Sequence, residues 1–543
     1  MLISALIFVP VLAGVAALLL RSDRLRRLLL VLTGVAHTGL VGVCWAVRPG
    51  PIFGGWLQLD GPGLLFLAIT SVLFLAAAIQ AAGYLSHEPH GAHEDFDEEG
   101  LFFSNAPEAI FTGCLLFFLG TMTLVTMSQH FGLLWVAIEA TTLASAPLIY
   151  FHRHRRSLEA TWKYLLICSV GIALALLGTF FLAGAATFSG GVSSLLIADL
   201  VRVGHKLDPM WLKAAFILLL VGYGTKMGLA PLHTWLPDAH SESPSVVSAL
   251  LSGALLNCAF LGILRAQQVC EADGAGEFSR ELLLIFGLIS MGVAAVFIVG
   301  QRDYKRLLAY SSVEHMGILA LGVGLGGLGT IGALLHAVNH SLTKAMLFFA
   351  AGNILAVYKT KSASDVRGVL TALPLTGILW VAGFLAITGF PPFGPFLSEF
   401  TILKAAIEQG HTGVAIAYLF FLSVIFVGMA TIVIRMSQGA PTQRATESQA
   451  MRRREPLLGV LSPALLCALV LCLGLYTPPQ LSDLLKEAAQ VLRAQEPTDA
   501  TASHHRGHEG HRGEIPGLFS SSASSASSAV GRSQPEIGST PWR

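Results

Sequence analysis

Charge is what this chain is short of. Only 12% of its 543 residues are Asp, Glu, Lys or Arg, while 54% are hydrophobic. Soluble domains carry roughly 25% charged residues. With a mean hydropathy of +0.67, the composition excludes a soluble globular protein and describes an integral membrane protein. The formal net charge of +1 is too small to attract nucleic acid, so none is expected as a partner. The seven cysteines (Cys44, Cys114, Cys168, Cys258, Cys270, Cys467 and Cys472) are scattered, and no CxxC pair occurs. That excludes the ligand spacing of an iron–sulfur cluster or a zinc site. No Gly-x-Gly-x-x-Gly fingerprint follows a strand and no P-loop is present, so nucleotide hydrolysis is not supported. We therefore expect no cofactor, no metal and no catalytic residue. Energy has to come from an ion gradient or from a partner.

Long apolar runs are what the chain has instead. Spans of about 17–25 residues, each able to cross a roughly 30 Å hydrocarbon core, fall at about 2–20, 28–47, 62–85, 108–127, 130–151, 162–186, 211–231, 244–265, 281–300, 306–325, 328–357, 372–403, 411–435 and 457–476. The pattern predicts an all-α protein of about fourteen transmembrane helices. None resembles a cleaved signal peptide. Basic residues gather in alternate loops: Arg21, Arg24, Arg26 and Arg27; Arg153, Arg155 and Arg156; Arg302, Lys305 and Arg306; Lys359, Lys361 and Arg367; Arg444 and Arg452 to Arg454. These are all odd-numbered loops, and positive loops stay inside. Both termini are thus expected outside a bacterial inner membrane. The acidic, histidine-bearing loop His87–Glu99 and the tail from about Glu496, with His504, His505, His508 and His511, read as disordered.

One stretch organises the middle: Gly222-Tyr223-Gly224-Thr225-Lys226-Met227-Gly228-Leu229-Ala230-Pro231, running on through His233 and Pro237 to Asp238-Ala239-His240. An apolar helix carries Lys226 deep inside and is then broken by glycines and prolines. A lysine in hydrocarbon costs at least about 2.5–3.5 kcal/mol, so it is normally paired or hydrated. Freed backbone carbonyls are tolerated only against protein or a wet cavity. Other charges lie where lipid forbids them. Glu139 sits in the fifth span, Glu314 and His315 in the tenth. His336, His340 and Lys344 follow at i, i+4 and i+8 in the eleventh, stacked along one face over about 12 Å. Glu399 follows a second broken helix, Gly389-Phe390-Pro391-Pro392-Phe393-Gly394-Pro395, with Lys404 just beyond. Lys163, one turn after Glu159, is either a relay group or a surface ion pair at a helix end.

The order repeats: Glu139, Lys163, then Lys226 beside a break; Glu314, Lys344, then Glu399 beside a break. Each unit spans an odd number of helices, so the two enter the membrane from opposite sides, as in inverted-repeat transporters. The expected division is residues 1–100 (helices 1 to 3 and the acidic loop), 101–265 (first five-helix repeat), 266–435 (second, inverted five-helix repeat), 436–495 (helix 14) and 496–543 (tail).

The stretch GTKMGLAPLHTWLPDAHSESPSVVSALLSG resembles the signature of the antiporter-like subunits of respiratory complex I and of sodium/proton antiporter complexes. QRDYKRLLAYSSVEHMG and HAVNHSLTKAMLFFAAGN extend the likeness. LLWVAIEATTLASAPLIYFHRHRRSLEATWKYLLICSVGIALALLGT is most similar to the F-type subunit of hydrogenase-4 complexes. The resemblance implies a proton relay through Glu139, Lys226, His336, His340, Lys344 and Glu399. Lys163, Asn257, Lys305, Glu314, His315, Asp238 and Lys404 are accessory candidates. The eighth helix departs from the family's pattern: SALLSGALLNCAF offers only Ser252 and Asn257, which do not titrate, so a link between halves must run through water.

The expected function is proton translocation within a redox-driven, complex I-like or hydrogenase-4-like assembly, with other membrane subunits and the bilayer as partners. Parting Glu139 from Lys226 would strand the ammonium in a low dielectric and drive its proton on. Two other functions fit the same residues: a sodium/proton antiporter subunit, with sodium as the alternative ion, or a non-conducting anchor of a hydrogenase or carbon-dioxide-hydrating module.

Overall fold

The computed structural model describes residues 1–88, 91–94, 102–190, 194–443, 445–446 and 455–492. The expectation for the tail beyond 496 lies outside the described residues, as does that for much of the His87–Glu99 loop. Among the described residues, thirteen helices are long and apolar enough to cross a membrane. In chain order the first six are α1 (Leu2–Leu19), α2 (Asp23–Val47), α3 (Gly61–His87), α4 (Glu108–Met127), α5 (Phe131–Ile149) and α6 (Arg155–Gly190). A short α7 (Ile197–Val203) precedes α8 (Pro209–Met227) and the eight-residue α9 (Trp235–Glu242). The eighth span is α10 (Ser245–Leu250), a π turn at Leu251–Leu255 and α11 (Leu256–Asp273). Then come α12 (Gly276–Ile298), α13 (Tyr304–Leu325) and α14 (Gly327–Tyr358). The one-turn α15 (Val369–Ala372) leads into α16 (Pro374–Ile387) and α17 (Gly394–Glu408), the two pieces of the twelfth span. α18 (Thr412–Ser437), α19 (Leu457–Leu475) and the amphipathic α20 (Pro479–Val491) complete the order. Beside these thirteen candidate spans, the shorter α16 and α17 occupy the place of the twelfth span expected from the sequence.

Two details differ from an all-α reading. Ala92–Glu94 (β1), within the stretch read as disordered, pairs antiparallel with Phe102–Ser104 (β2) just beyond it. The eighth span also contains the π turn, where an extra residue per turn re-aims side chains.

Burial separates centre from rim. The hydrophobic windows of the eighth and tenth spans are 100% and 94% buried, against 33% for α1 and for α2. The centre therefore needs no lipid-facing side chains and can hold polar ones. Glycines set the closest approaches. An added Cβ at Gly222 of α8 would lie 2.6 Å from the backbone of Gly171 and Ala175 on α6, and one at Gly171 would lie 2.7 Å from Thr225. Small residues at these positions let the two backbones touch, the usual basis of helix packing in lipid. That contact brings the last turn of α8 against α6.

Backbone groups at both breaks find partners. Helix α8 ends at Gly228, whose φ of 84° is the left-handed conformation glycine adopts without strain. The freed carbonyl of Thr225 accepts from Trp235 Nε1 at 2.8 Å, and that of Gly224 from Leu229 N at 2.9 Å. At the second break, Asn339 Nδ2 donates to Gly394 O at 2.8 Å.

Candidate functional site

Lys226 is wholly buried. Its Nζ donates to Thr142 Oγ1 at 2.8 Å and to Tyr164 OH at 2.6 Å, and lies 4.4 Å from the Tyr164 ring centroid. Glu139 is half-buried and does not reach the amine. Thr142 Oγ1 donates to Glu139 Oε2 at 3.2 Å, and Ser169 Oγ to Glu139 Oε1 at 3.2 Å. The acid and the base expected to pair are thus bridged by one hydroxyl. Tyr164 OH continues the chain to Ser145 Oγ at 2.6 Å.

The second half holds its titratable groups deeper. His336, His340 and Lys344 are each 0% exposed on α14, as their spacing predicts for one inward face. Lys344 Nζ donates to Leu308 O at 2.7 Å, a carbonyl that Ser312 Oγ also engages at 3.1 Å. His315 Nδ1 lies 2.9 Å from His336 Nε2, and His336 Nδ1 3.0 Å from Ser398 Oγ. The His340 ring sits 5.1 Å from that of His315. Glu314 is buried beside His315. Glu399 is buried with its carboxylate against the bare backbone of Gly389, where an added Cβ would meet Oε2 at 2.1 Å.

The eighth span lies between. Asn257 Nδ2 donates to Ser341 Oγ on α14 at 2.7 Å, and Ser252 Oγ is 2.8 Å from Ser312 Oγ on α13. One residue that the sequence reading left unassigned also stands here. His240 on α9 is wholly buried and stacks on Phe348 at 5.1 Å. Both its ring nitrogens lack a protein partner, and Lys305 and Lys344 act on it electrostatically. Its position fourteen residues after Lys226, beyond the break, was the available signal. Further buried polar atoms without a protein partner are Asn257 Oδ1, Ser311 Oγ, both nitrogens of His340, Asn339 Oδ1 and Glu399 Oε1.

Three accessory candidates belong to a charged cluster that runs along α9 from Asp238 to its C-terminal end. Asp238 accepts from Lys163 Nζ at 2.9 Å and from Arg306 at 2.7 Å. Lys163, which also pairs with Glu159 at 2.7 Å, is 45% exposed, so it serves the ion pair and stays outside the buried row. Lys305 is buried and donates to Ser241 O at 3.0 Å and Ser243 O at 2.6 Å, closing the C-terminal end of α9. Next to it, Glu242 accepts from Lys361 at 2.8 Å and faces His154 at 3.6 Å. Burial opposes its ionisation, yet Lys361, His154 and Arg156 hold its carboxyl down at about 2. Lys404 is exposed and, among the described residues, pairs with Glu408 at 3.6 Å; the fold does not bring it into the site.

Thirteen candidate spans among the described residues, two interrupted helices and buried acids, lysines and histidines define a multi-span membrane protein that holds charge in its interior. Residues 128–426 match the family described as NADH:quinone oxidoreductase/Mrp antiporter, TM, and the chain belongs to that family. It is 34% identical over 444 residues to a hydrogenase-4 component F homolog of Methylacidiphilum infernorum, covering 81% of this chain and 89% of that one. It is 30% identical to the NADH-quinone oxidoreductase subunit N of Desulforudis audaxviator, covering 81% and 85%. Among solved structures, it shares its fold with a chain of an archaeal membrane-bound sulfane sulfur reductase (TM-score 0.79, 21% identity, 91% and 98% covered). A chain of the Mrp complex of Dietzia sp. is similar too (0.77, 20%, 91% and 98%). Those chains come from an archaeal respiratory membrane complex and from the Mrp complex, and the likeness shows that this chain has their fold.

Proposed function

We propose that this chain carries protons for a redox-driven complex of the hydrogenase-4 or complex I type, in a bacterial inner membrane with both termini outside. The observation that carries the reading is the hydroxyl bridge between Glu139 and Lys226, and the buried titratable groups of the second half, from Lys344 to Glu399, support it. A threonine hydroxyl can accept from the ammonium and donate to the carboxylate at once. While the bridge holds, the nearby carboxylate favours the charged lysine. Moving Glu139 away leaves an ammonium in a low-dielectric site, and the proton departs.

The onward route is supported by the row of polar atoms without protein partners, because such atoms in native proteins are satisfied by water. It leads from the eighth span past His240 to Lys344, His340, His315 and His336, and out by Glu399. His240 supplies a titrating group where the eighth helix has none. The two inverted five-helix units, residues 101–265 and 266–435, would each contribute one broken helix to this route. The chain supplies no redox centre in this reading; a partner's movement parts the bridge.

The test is Lys226→Ala in the assembled complex in inverted vesicles. Proton uptake should be lost while electron transfer continues, with and without sodium. Undiminished uptake would reject the assignment, and uptake that requires sodium would favour exchange over redox-driven pumping.

A further inference from the structure

The geometry points to a transition-metal site formed by His315, His336 and Glu399, one from each of α13, α14 and α17. We propose that it takes a divalent ion of the Zn2+ class and that the bound ion closes the route. All three residues are buried, and one donor atom from each lies within 4.8 Å of the others. Two imidazoles and a carboxylate are a donor set that suits Zn2+ and leaves a fourth position open to water.

The hydrogen bonds indicate which atoms would ligate. Ser398 Oγ donates to Pro395 O at 2.9 Å, so toward His336 Nδ1 it accepts. In that arrangement His336 Nδ1 carries the proton and its Nε2 presents a lone pair. That Nε2 faces His315 Nδ1 at 2.9 Å. With metal–nitrogen bonds of about 2.0–2.1 Å, the edge of a tetrahedron is about 3.3–3.4 Å. The two nitrogens thus need to part by only about 0.4–0.5 Å to admit the ion. His315 must then shift its proton from Nδ1 to Nε2, and Nε2 already faces Glu314 Oε2 at 3.9 Å. Closing that 3.9 Å gap would give the His315 ring a carboxylate behind it, the support that metal-bound imidazoles ordinarily have. The third ligand is available: Glu399 Oε1 is buried without a partner. The Glu399 carboxylate packs directly against Gly389, next to the exposed Phe390–Pro392 segment.

Binding requires only this geometry. The inhibitory consequence rests on the proposed function, because the ion would replace the proton held between the two imidazoles and occupy Glu399. The test uses the purified complex in nanodiscs, with His504, His505, His508 and His511 replaced by serine in every sample so that the tail does not compete. Co2+ should give the visible absorption of a tetrahedral N2O site, and Zn2+ should displace it one for one. His336→Gln and Glu399→Gln should each abolish that absorption, and Glu314→Gln should weaken Zn2+ binding about 10–100-fold. The same Co2+ spectrum and Zn2+ affinity in His336→Gln as in the parent would overturn the site. Full Zn2+ occupancy with unchanged proton uptake would overturn the inhibitory role while leaving the site standing.

Discussion

Lys226 and Glu139 meet through a third residue: the Thr142 hydroxyl lies 2.8 Å from the amine and 3.2 Å from the carboxylate. The Thr142→Val variant keeps the shape and removes that link. A hydrogen bond to a charged group contributes about 1.5–3 kcal/mol, and each 1.36 kcal/mol is tenfold in rate. Proton uptake by vesicles should fall about 10–100-fold in Thr142→Val and stay near normal in Thr142→Ser. Equal rates in all three proteins would show that the hydroxyl is a bystander.

The contact between α6 and α8 should tolerate no side chain at Gly222, where an added Cβ would lie 2.6 Å from two backbone atoms. Gly222→Val is expected to push α8 outward and draw Lys226 from Tyr164. Overpacking of this kind typically costs about 1–3 kcal/mol. Thermal unfolding in detergent should show the loss, and proton uptake should fall with it. Gly413, which has nothing within 4 Å of an added Cβ, provides the control position.

Arg265 on α11 is wholly buried and grips Asp60 with both nitrogens, at 2.5 and 2.7 Å. Asp60 also caps α3 by accepting from Gly63 N. Burial works against the Asp60 carboxylate, but Arg265 and the cap hold it below its usual range. Arg265→Ala should cost about 3–5 kcal/mol, because it leaves an uncompensated buried charge. Joint replacement, Arg265→Met with Asp60→Asn, should recover part of that loss in unfolding assays.

His152 gives the protein a mild-acid sensitivity. It lies in the loop after α5, bonded to Asn105 and Tyr84, and burial drives it down from 6.5 to about 3. Between these values the unfolded chain binds a proton that the folded one refuses, so stability falls as pH drops from about 6.5 to about 3. Above 6.5 both states are neutral and His152 adds no slope. Each unit is about 1.4 kcal/mol at most. His152→Gln should flatten the dependence of the unfolding midpoint over that window; an unaltered slope would assign the sensitivity elsewhere.

The parts legible in the sequence were those where lipid makes a residue costly. Lys226, Glu314, Lys344 and Glu399 stood out against their apolar neighbours, and all are buried. The i, i+4, i+8 spacing placed His336, His340 and Lys344 on one inward face. Phase was harder to read near helix ends: Lys404 and Lys163 look alike in sequence, yet both point outward. Hydroxyls are silent, since threonine is common in any helix, so nothing marked Thr142 as the bridge. His240 was hidden because it follows a proline-rich break, where a histidine reads as a loop residue. The π turn at Leu251–Leu255 is composed of ordinary helix formers and has no local signal.

Asp238 grips Lys163 of α6 with one oxygen and Arg306 of α13 with the other. The crosspiece between the two flanks is therefore only as long as α9, and His240 rides on it half a turn away. Both flanks hold α9 through this one carboxylate, two residues from His240, so Asp238→Asn would loosen the short helix from α6 and α13 together.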